Sequence, residues 1–224
     1  MLEDAIAWAP DLLDGLRLTV LLTFSSMALA MVLGLILALG RLRRRTSAIY
    51  WASTCFVELI RGSPLLLQLF YIYYVFPFIG IRMPPIASGI IGLMINYGAY
   101  LSEVFRAGIL AVDKGQWEAA EAIGLPHWLI LRLVVLPQAM RIVLPPVGNY
   151  FISLFKDTAL VSTISIGELI FRGQLIAADT FQYLQVYTII FVIYVVISVP
   201  ASMGVKALEA RYAASRMLPR ALRG

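Results

Sequence analysis

Long runs of apolar residues constrain this chain more than any other feature of its sequence. Residues 18–40 and residues 188–199 contain no charged side chain, and a helix needs about 20 mostly apolar residues to cross a bilayer. Apolar residues make up 61% of the chain and charged residues 14%, whereas soluble domains have roughly half and a quarter. The sequence therefore predicts an all-α integral membrane protein.

We predict five transmembrane helices in a single domain that covers residues 1–224. The second covers about residues 65–79, with an extension back to Phe56 as the longer alternative, and it is entered through Pro64, which suits a first helical turn because its missing N–H costs nothing there. The fourth is the least regular, since Lys156 and Asp157 interrupt it. The predicted spans are residues 16–39, 56–79, 86–110, 143–164 and 186–205, and a polar segment, residues 112–137, follows the third.

Lysine and arginine near the ends of the spans predict the orientation, because cytoplasmic loops carry an excess of positive charge. With the N-terminus outside, the external segments hold only Arg17, Arg82 and Arg172. The internal segments then hold Arg41, Arg43, Arg44, Arg45, Arg106, Lys114, Arg132, Lys206, Arg211, Arg216, Arg220 and Arg223. We therefore predict an external N-terminus, a cytoplasmic C-terminus and a cytoplasmic loop at residues 112–137.

Several kinds of functional site are missing from the sequence. The single cysteine, Cys55, cannot form an internal disulfide, and no cysteine cluster offers a metal site. No glycine-rich phosphate loop ending in Lys-Ser or Lys-Thr occurs, so this chain is not expected to hydrolyse ATP by P-loop chemistry. The net charge of +5 is not accompanied by a basic patch interleaved with aromatic residues, which argues against nucleic-acid binding.

The loop between the third and fourth spans contains a spaced motif, EAAEAIGLPHWLILRLVVLP, at residues 118–137. Residues before Gly124 favour a short helix, which a glycine can end in a left-handed conformation, and Pro126 can start a second short helix. The small side chains of Ala119 and Ala120 would let another surface approach closely, and Glu118 and Glu121 would offer it negative charge. The segment therefore predicts a compact, protein-binding knob.

This motif resembles the EAA loop of the membrane subunits of ABC importers, which is Glu-Ala-Ala, three residues, Gly, nine residues, Ile, one residue, Leu-Pro. Its spacing fits at every position, and Val134 in place of isoleucine is the one departure. The matching residues are Glu118, Ala119, Ala120, Gly124, Leu136 and Pro137. The resemblance implies that they dock into a cleft of the ATPase subunit and transmit its closure to the membrane helices.

Further segments resemble the polar amino acid branch of these permeases, so that the likeness covers nearly the whole chain. They are residues 58–69 (ELIRGSPLLLQL), 97–108 (YGAYLSEVFRAG), 138–149 and 149–162 (NYFISLFKDTALVS). The resemblance implies the type I importer permease fold and a bacterial cytoplasmic membrane. It also implies two ATPase subunits, which hold ATP and magnesium, a second identical or related permease, and an external solute-binding protein. Histidine, glutamine, arginine, glutamate, cystine, opines and ectoine all remain open as substrates.

Charged residues near the ends of the spans are expected to pair, because an intramembrane charge is costly. Glu58 and Arg61 are three residues apart, as are Glu103 and Arg106, so each pair shares a helix face. Ion pairing near the cytoplasmic interface requires no substrate, and we therefore favour a structural role for these four residues.

Polar residues inside the third and fourth spans are candidates for a substrate pathway or gate. Lys156 and Asp157 are adjacent and cannot point the same way on a helix. Because this pair resembles a feature shared across the branch, gating or subunit packing is favoured over specificity. The candidates are Asn96, Tyr97, Tyr100, Ser102, Ser153, Lys156 and Asp157. Whether the permease has its own substrate site remains open.

Two other classes of membrane protein are alternatives. An intramembrane enzyme would need a histidine at membrane depth, paired aspartates or a metal cluster, and the only histidine, His127, lies in the loop. An ion-coupled carrier would be expected to show internal repeats with broken helices at matching positions, and none is convincing. Neither alternative explains the Glu-Ala-Ala loop.

Overall fold

Helices form almost all of the regular structure of this protein. The computed structural model describes the backbone of residues 2–217 and the side chains of residues 6–212, and no β-strand occurs within that range. The predicted cytoplasmic arginines Arg220 and Arg223, and the side chain of Arg216, lie outside the described residues. The α-helices are α1 (Leu2–Arg41), α2 (Ala48–Arg61), α3 (Leu65–Phe70), α4 (Pro85–Leu110), α5 (Lys114–Ala122), α6 (His127–Leu129), α7 (Leu136–Asp157), α8 (Leu169–Thr180) and α9 (Tyr183–Met217).

Short π-helical and 3₁₀-helical segments follow three of these helices. A π-helical turn and a 3₁₀ turn (Tyr71–Val75 and Phe76–Ile79) follow α3, a π-helical turn (Ile130–Val135) joins α6 to α7, and a 3₁₀ segment (Thr158–Ile164) follows α7. Within the described residues, three helical stretches are long and apolar enough to cross a bilayer: Ile6–Arg41, His127–Ile164 and Tyr183–Tyr212. The pair formed by α2 and the α3 segment passes the same test together, although it is bent by 106°.

The predicted second span is not one continuous helix. α2 ends at Arg61, Gly62 caps it, and α3 begins only at Leu65. Pro64 has no N–H for a continuing helix and disfavours helical geometry in the residue before it, so the chain breaks here. Gln68 stabilises the break, because its amide nitrogen donates to the carbonyl oxygen of Ile60 at 2.8 Å.

α4 lies at the centre of the bundle and packs along α1. Half of its 26 residues are buried, and many of them are small. A Cβ atom on Gly98 would lie 2.8 Å from the side chain of Leu33, and a Cβ atom on Gly34 would lie 3.0 Å from the carbonyl oxygen of Gly98. Small residues let two helix backbones approach closely, and here they join α1 to α4.

The segment between the last two predicted spans contains α8, which the sequence pattern did not indicate because Arg172 and Asp179 interrupt its apolar residues. Glu168 caps α8, and its carboxylate accepts a hydrogen bond from the N–H of Phe171 at 2.8 Å. Leu169 packs with residues of α1 and α9 in one apolar cluster. Through this cluster, α8 packs against both the first helix of the chain, α1, and the last, α9.

Candidate functional site

The coupling segment, residues 112–137, begins with a short helix that projects one face away from the bundle. The side chain of Asp113 caps α5 by accepting from the N–H of Gly115 at 2.7 Å. Glu118, Ala119 and Glu121 are exposed. The side of the helix that offers charge is therefore open to another molecule.

A left-handed turn at Gly124 ends α5 as the sequence predicted. Its φ is 77°, its N–H donates to the carbonyl of Glu121, and the N–H of Leu125 donates to the carbonyl of Ala120 at 3.2 Å. These two bonds form the Schellman motif, in which glycine is favoured because it has no Cβ atom. The predicted pair of short helices around this turn is confirmed, with α6 beginning at His127.

Ala120 does not offer its side chain to an outside surface, which corrects part of our interpretation of the motif. Only 4% of it is exposed, and it packs in a cluster with Ile130 and Val135 of the same segment. Leu136 is packed partly against this cluster, whereas Pro137 is exposed at the start of α7. The motif therefore serves two purposes: one side builds a small core and the other remains open.

A network of ion pairs joins three helices near one end of the bundle. The predicted pairs within α2 and within α4 are both confirmed, at 4.0 Å and 3.0 Å. The carboxylate of Glu103 also pairs with Arg41 at 2.7 Å and with Arg61 at 3.2 Å. The sequence did not indicate these contacts between helices, because Arg41 stands at the start of an arginine cluster that served as a topology signal.

A pocket of about 330 Å³ lies beside this network and contains most of the predicted pathway residues. The hydroxyl group of Tyr97 donates to the carboxylate of Asp157 at 2.6 Å, and the guanidinium of Arg61 lies 5.5 Å from the centre of the Tyr100 ring. The pocket lining includes five of the seven predicted residues, Asn96, Tyr97, Tyr100, Ser153 and Asp157.

Two predicted residues do not reach this pocket. Ser102 is fully buried and its hydroxyl donates to the carbonyl of Ala99 at 2.7 Å. Lys156 is exposed, in agreement with the expectation that it points away from Asp157. The structure adds Tyr150, which lines the pocket; it lies three residues before the predicted Ser153, and the sequence gave no separate signal for it.

The break between α2 and α3 supplies one wall of the pocket. Ser63 and Pro64 line it, and Asn96 on the facing helix donates to the side chain of Gln68 at 3.1 Å. Gln68 therefore links the broken helix to α4 next to the pocket. A glutamine within a predicted span is the signal from which this contact could have been found.

The sequence also matches a protein-family model. Residues 30–214 match the family described as the binding-protein-dependent transport system inner membrane component. The match covers the coupling segment, the ion-pair network and the pocket. The chain belongs to this family. It is therefore a permease subunit of an ABC importer.

Curated relatives align with almost the full length of the permease. An L-cystine transport system permease protein of Bacillus subtilis is 42% identical over 203 residues, which is 90% of this chain and 86% of that protein. A glutamine transport system permease protein of Escherichia coli is 36% identical over 204 residues, covering 90% and 93%. The two relatives are named for different amino acids.

Solved structures confirm the fold. A chain in the crystal structure of an amino acid ABC transporter with histidines has a TM-score of 0.85 and 36% identity, covering 93% of this permease and 97% of that chain. A chain of an inward-facing methionine ABC transporter has a TM-score of 0.70 at 20% identity and covers 88% and 96%. The predicted type I importer permease fold is therefore confirmed.

Proposed function

We propose that this permease imports a polar amino acid, or a close analogue, across the bacterial cytoplasmic membrane. The permease relatives are named for cystine and glutamine, and a similar solved chain comes from an amino acid transporter. The proposed assembly has two permease subunits, two ATPase subunits and an external solute-binding protein. This chain binds no cofactor in the proposal, and ATP with magnesium belongs to the ATPase subunits.

The coupling segment carries the proposal. Its exposed acidic face and the rigid turn at Gly124 suit a knob that enters a cleft of another subunit. The small core around Ala120 connects this knob to α4 and α7, so a movement of the knob reaches the helices that line the pocket. In the proposed orientation this segment lies in the cytoplasm and the N-terminus lies outside.

The transport cycle follows from that connection. A loaded binding protein docks outside, ATP draws the ATPase subunits together, and their closure carries the coupling segment inward. The pathway then opens toward the binding protein, and hydrolysis returns it toward the cytoplasm. This is alternating access, in which the pocket is exposed first to one side and then to the other.

Two substitutions of the same glycine test the coupling role. Gly124→Val forces a β-branched residue to a positive φ, where even an ordinary side chain costs about 1–2 kcal/mol, so we expect uptake to fall more than about tenfold. Gly124→Asn tolerates the same backbone and should keep most of it. Uptake into proteoliposomes that contain the whole complex gives the measurement, and membrane insertion is checked separately.

Equal uptake by wild type and Gly124→Val would contradict the coupling role. Severe loss in both variants, with ATPase subunits still bound, would show that any side chain at residue 124 is harmful. The contact at the turn, rather than its backbone conformation, would then carry the coupling.

The pocket supplies the proposed pathway or gate, and Asp157 is the residue that tests it. Asp157→Asn removes the charge that accepts from Tyr97, and we expect uptake to fall at least about tenfold while ATPase subunits remain bound. Ser102→Ala, on the same helix as Tyr97 but away from the pocket, should retain transport. Unchanged uptake by Asp157→Asn would exclude this carboxylate from the pathway and leave the coupling proposal intact.

A further inference from the structure

A second and larger groove lies at the end of the bundle that carries the ion-pair network. Its volume is about 980 Å³, and it runs between the end of α1, the connection from α1 to α2, the end of α4 and the coupling segment. The described residues that line it include no aspartate or glutamate. The pocket at Asp157 shares none of its lining residues.

The polar end of the groove carries positive charge that the protein does not neutralise. Arg43 and Arg44 line it and are exposed, and Thr46 and the partly buried Ser47 line it beside them. Within the described part of the chain, neither guanidinium forms an ion pair, whereas Arg41 pairs with two carboxylates. Guanidinium groups beside hydroxyl groups are the donors that phosphate prefers.

Most of the other residues that line the groove are apolar and form its apolar wall. Leu39 of α1 and Leu110 of α4 face it, with Trp117 of α5 beside them. The Trp117 ring stacks on His127 at 5.4 Å between ring centres, which fixes the position of the indole. A ligand that fills the groove therefore needs an anionic end and an aliphatic part, and a free phosphate would leave the apolar wall uncovered.

Aromatic residues next to the groove indicate its depth in the bilayer. Trp51 is 61% exposed, and its indole N–H donates to the carbonyl of Arg45 at 2.9 Å. Its ring lies edge-on against Tyr50. Exposed tryptophan and tyrosine collect at the level of lipid headgroups, so the connection between α1 and α2 lies at that level, where a headgroup can reach the arginines.

We propose that this groove binds an anionic phospholipid. The phosphate and the negatively charged headgroup lie at Arg43 and Arg44, and the start of an acyl chain lies along Leu39 and Leu110. Basic pockets between membrane helices at an interface are suited to such lipids. The site does not depend on the transported substrate, and its position beside the coupling segment gives lipid composition a route to the coupling step.

Competition binding with the purified complex tests the site. The probe is a fluorescent phosphatidylglycerol, and unlabelled phosphatidylglycerol, phosphatidylcholine and inorganic phosphate compete with it. We expect only unlabelled phosphatidylglycerol to displace the probe at micromolar concentrations. Displacement by phosphatidylcholine at the same concentration would overturn the proposal, and displacement by phosphate at millimolar concentrations would assign the arginines to a free anion instead.

Charge variants locate the binding. Each arginine contributes roughly fivefold to affinity for an anionic lipid surface, so Arg43→Gln with Arg44→Gln should weaken binding about 30-fold. Replacing both with lysine should retain it within a few-fold. Arg82→Gln with Arg211→Gln removes the same charge from exposed positions elsewhere and should change nothing. An unchanged affinity in the glutamine double variant would overturn the proposal, and if that variant does not assemble, the competition on the wild-type complex decides.

Discussion

In α4 and α9, burial within the protein and hydropathy run in opposite directions. α9 contains one of the three stretches that are apolar enough to cross a bilayer, yet only 6% of that stretch is buried. α4 is not among the three stretches that qualify as spans by composition, although half of its residues are buried. Lipid accepts apolar side chains as readily as a protein interior does, so hydropathy measures contact with lipid better than it measures centrality.

The candidate pathway residues follow burial rather than hydropathy. Asn96, Tyr97, Tyr100 and Glu103 all lie on α4 and connect the pocket to the ion-pair network. In α9, the buried residues between 183 and 212 are Val186 and Ile190, both in the half that packs on α8. The central helix therefore carries polar groups that lower its hydropathy, and several of them line the pocket.

The largest expected effect comes from a leucine placed at one glycine of each helix. Gly98→Leu would push its Cβ atom to 2.8 Å from Leu33, and overpacking of this kind costs about 1–3 kcal/mol or more. We expect a severe loss of folded protein. Gly204→Leu on α9 meets nothing within 4 Å and should fold normally. Size-exclusion chromatography in detergent measures both, and equal yields would break the contrast between the two helices.

We expect the folding stability to depend on pH through Glu168 at the start of α8. Burial raises the pKa of Glu168, the cap of α8, to about 7 from an ordinary value of 4.5. The folded protein thus keeps this proton to higher pH than the unfolded chain, and its stability should fall between about pH 5 and pH 7, by at most about 3 kcal/mol. Above the folded pKa the contribution is lost and the profile should level off.

Glu168→Gln tests this expectation, because an amide keeps an oxygen that can accept from Phe171 but does not titrate. Thermal unfolding in detergent from pH 5 to pH 8 should show a flatter profile in this variant. Glu118→Gln, in the exposed face of the coupling segment, should keep the wild-type decline. The guanidinium of Arg172, four residues after Glu168, pairs with the carboxylate of Asp11 at 3.9 Å. A parallel decline in wild type and Glu168→Gln would assign the pH dependence to other groups.

A smaller change in stability is expected for variants of two glutamates in the same ion-pair network. The side chain of Glu103 on α4 is 25% exposed and contacts three arginines, whereas that of Glu58 on α2 is 61% exposed. Among the described residues, removing the central charge leaves Arg106 without a carboxylate partner, and Arg41 and Arg61 keep only the more distant Glu58, so we expect Glu103→Gln to cost about 2 kcal/mol. Glu58→Gln should cost about 0.5 kcal/mol, as for an exposed pair. Equal shifts in unfolding temperature for the two variants would contradict the larger contribution that we assign to the glutamate on α4.

Local patterns in the sequence predicted those features that depend on neighbours along the chain. The turn at Gly124 follows from a glycine after a short helix-favouring run, and the pairs at a spacing of three follow from helix geometry. The motif spacing was sufficient to predict the family and the fold. The break at Pro64 contradicted a continuous second span, although the proline itself marked the place where a helix begins.

The sequence by itself determined that this is a helical membrane protein of the permease family, and it predicted a coupling loop at residues 112–137, because hydropathy, caps and motif spacing are local properties. Only the tertiary structure decided that Arg41 and Arg61 share the carboxylate of Glu103, that Asp157 meets Tyr97, and that Ser102 lies away from the pocket. The contacts made by Glu103 and Asp157 join residues about 40 to 60 positions apart. Their geometry depends on how closely small residues let the helices pack.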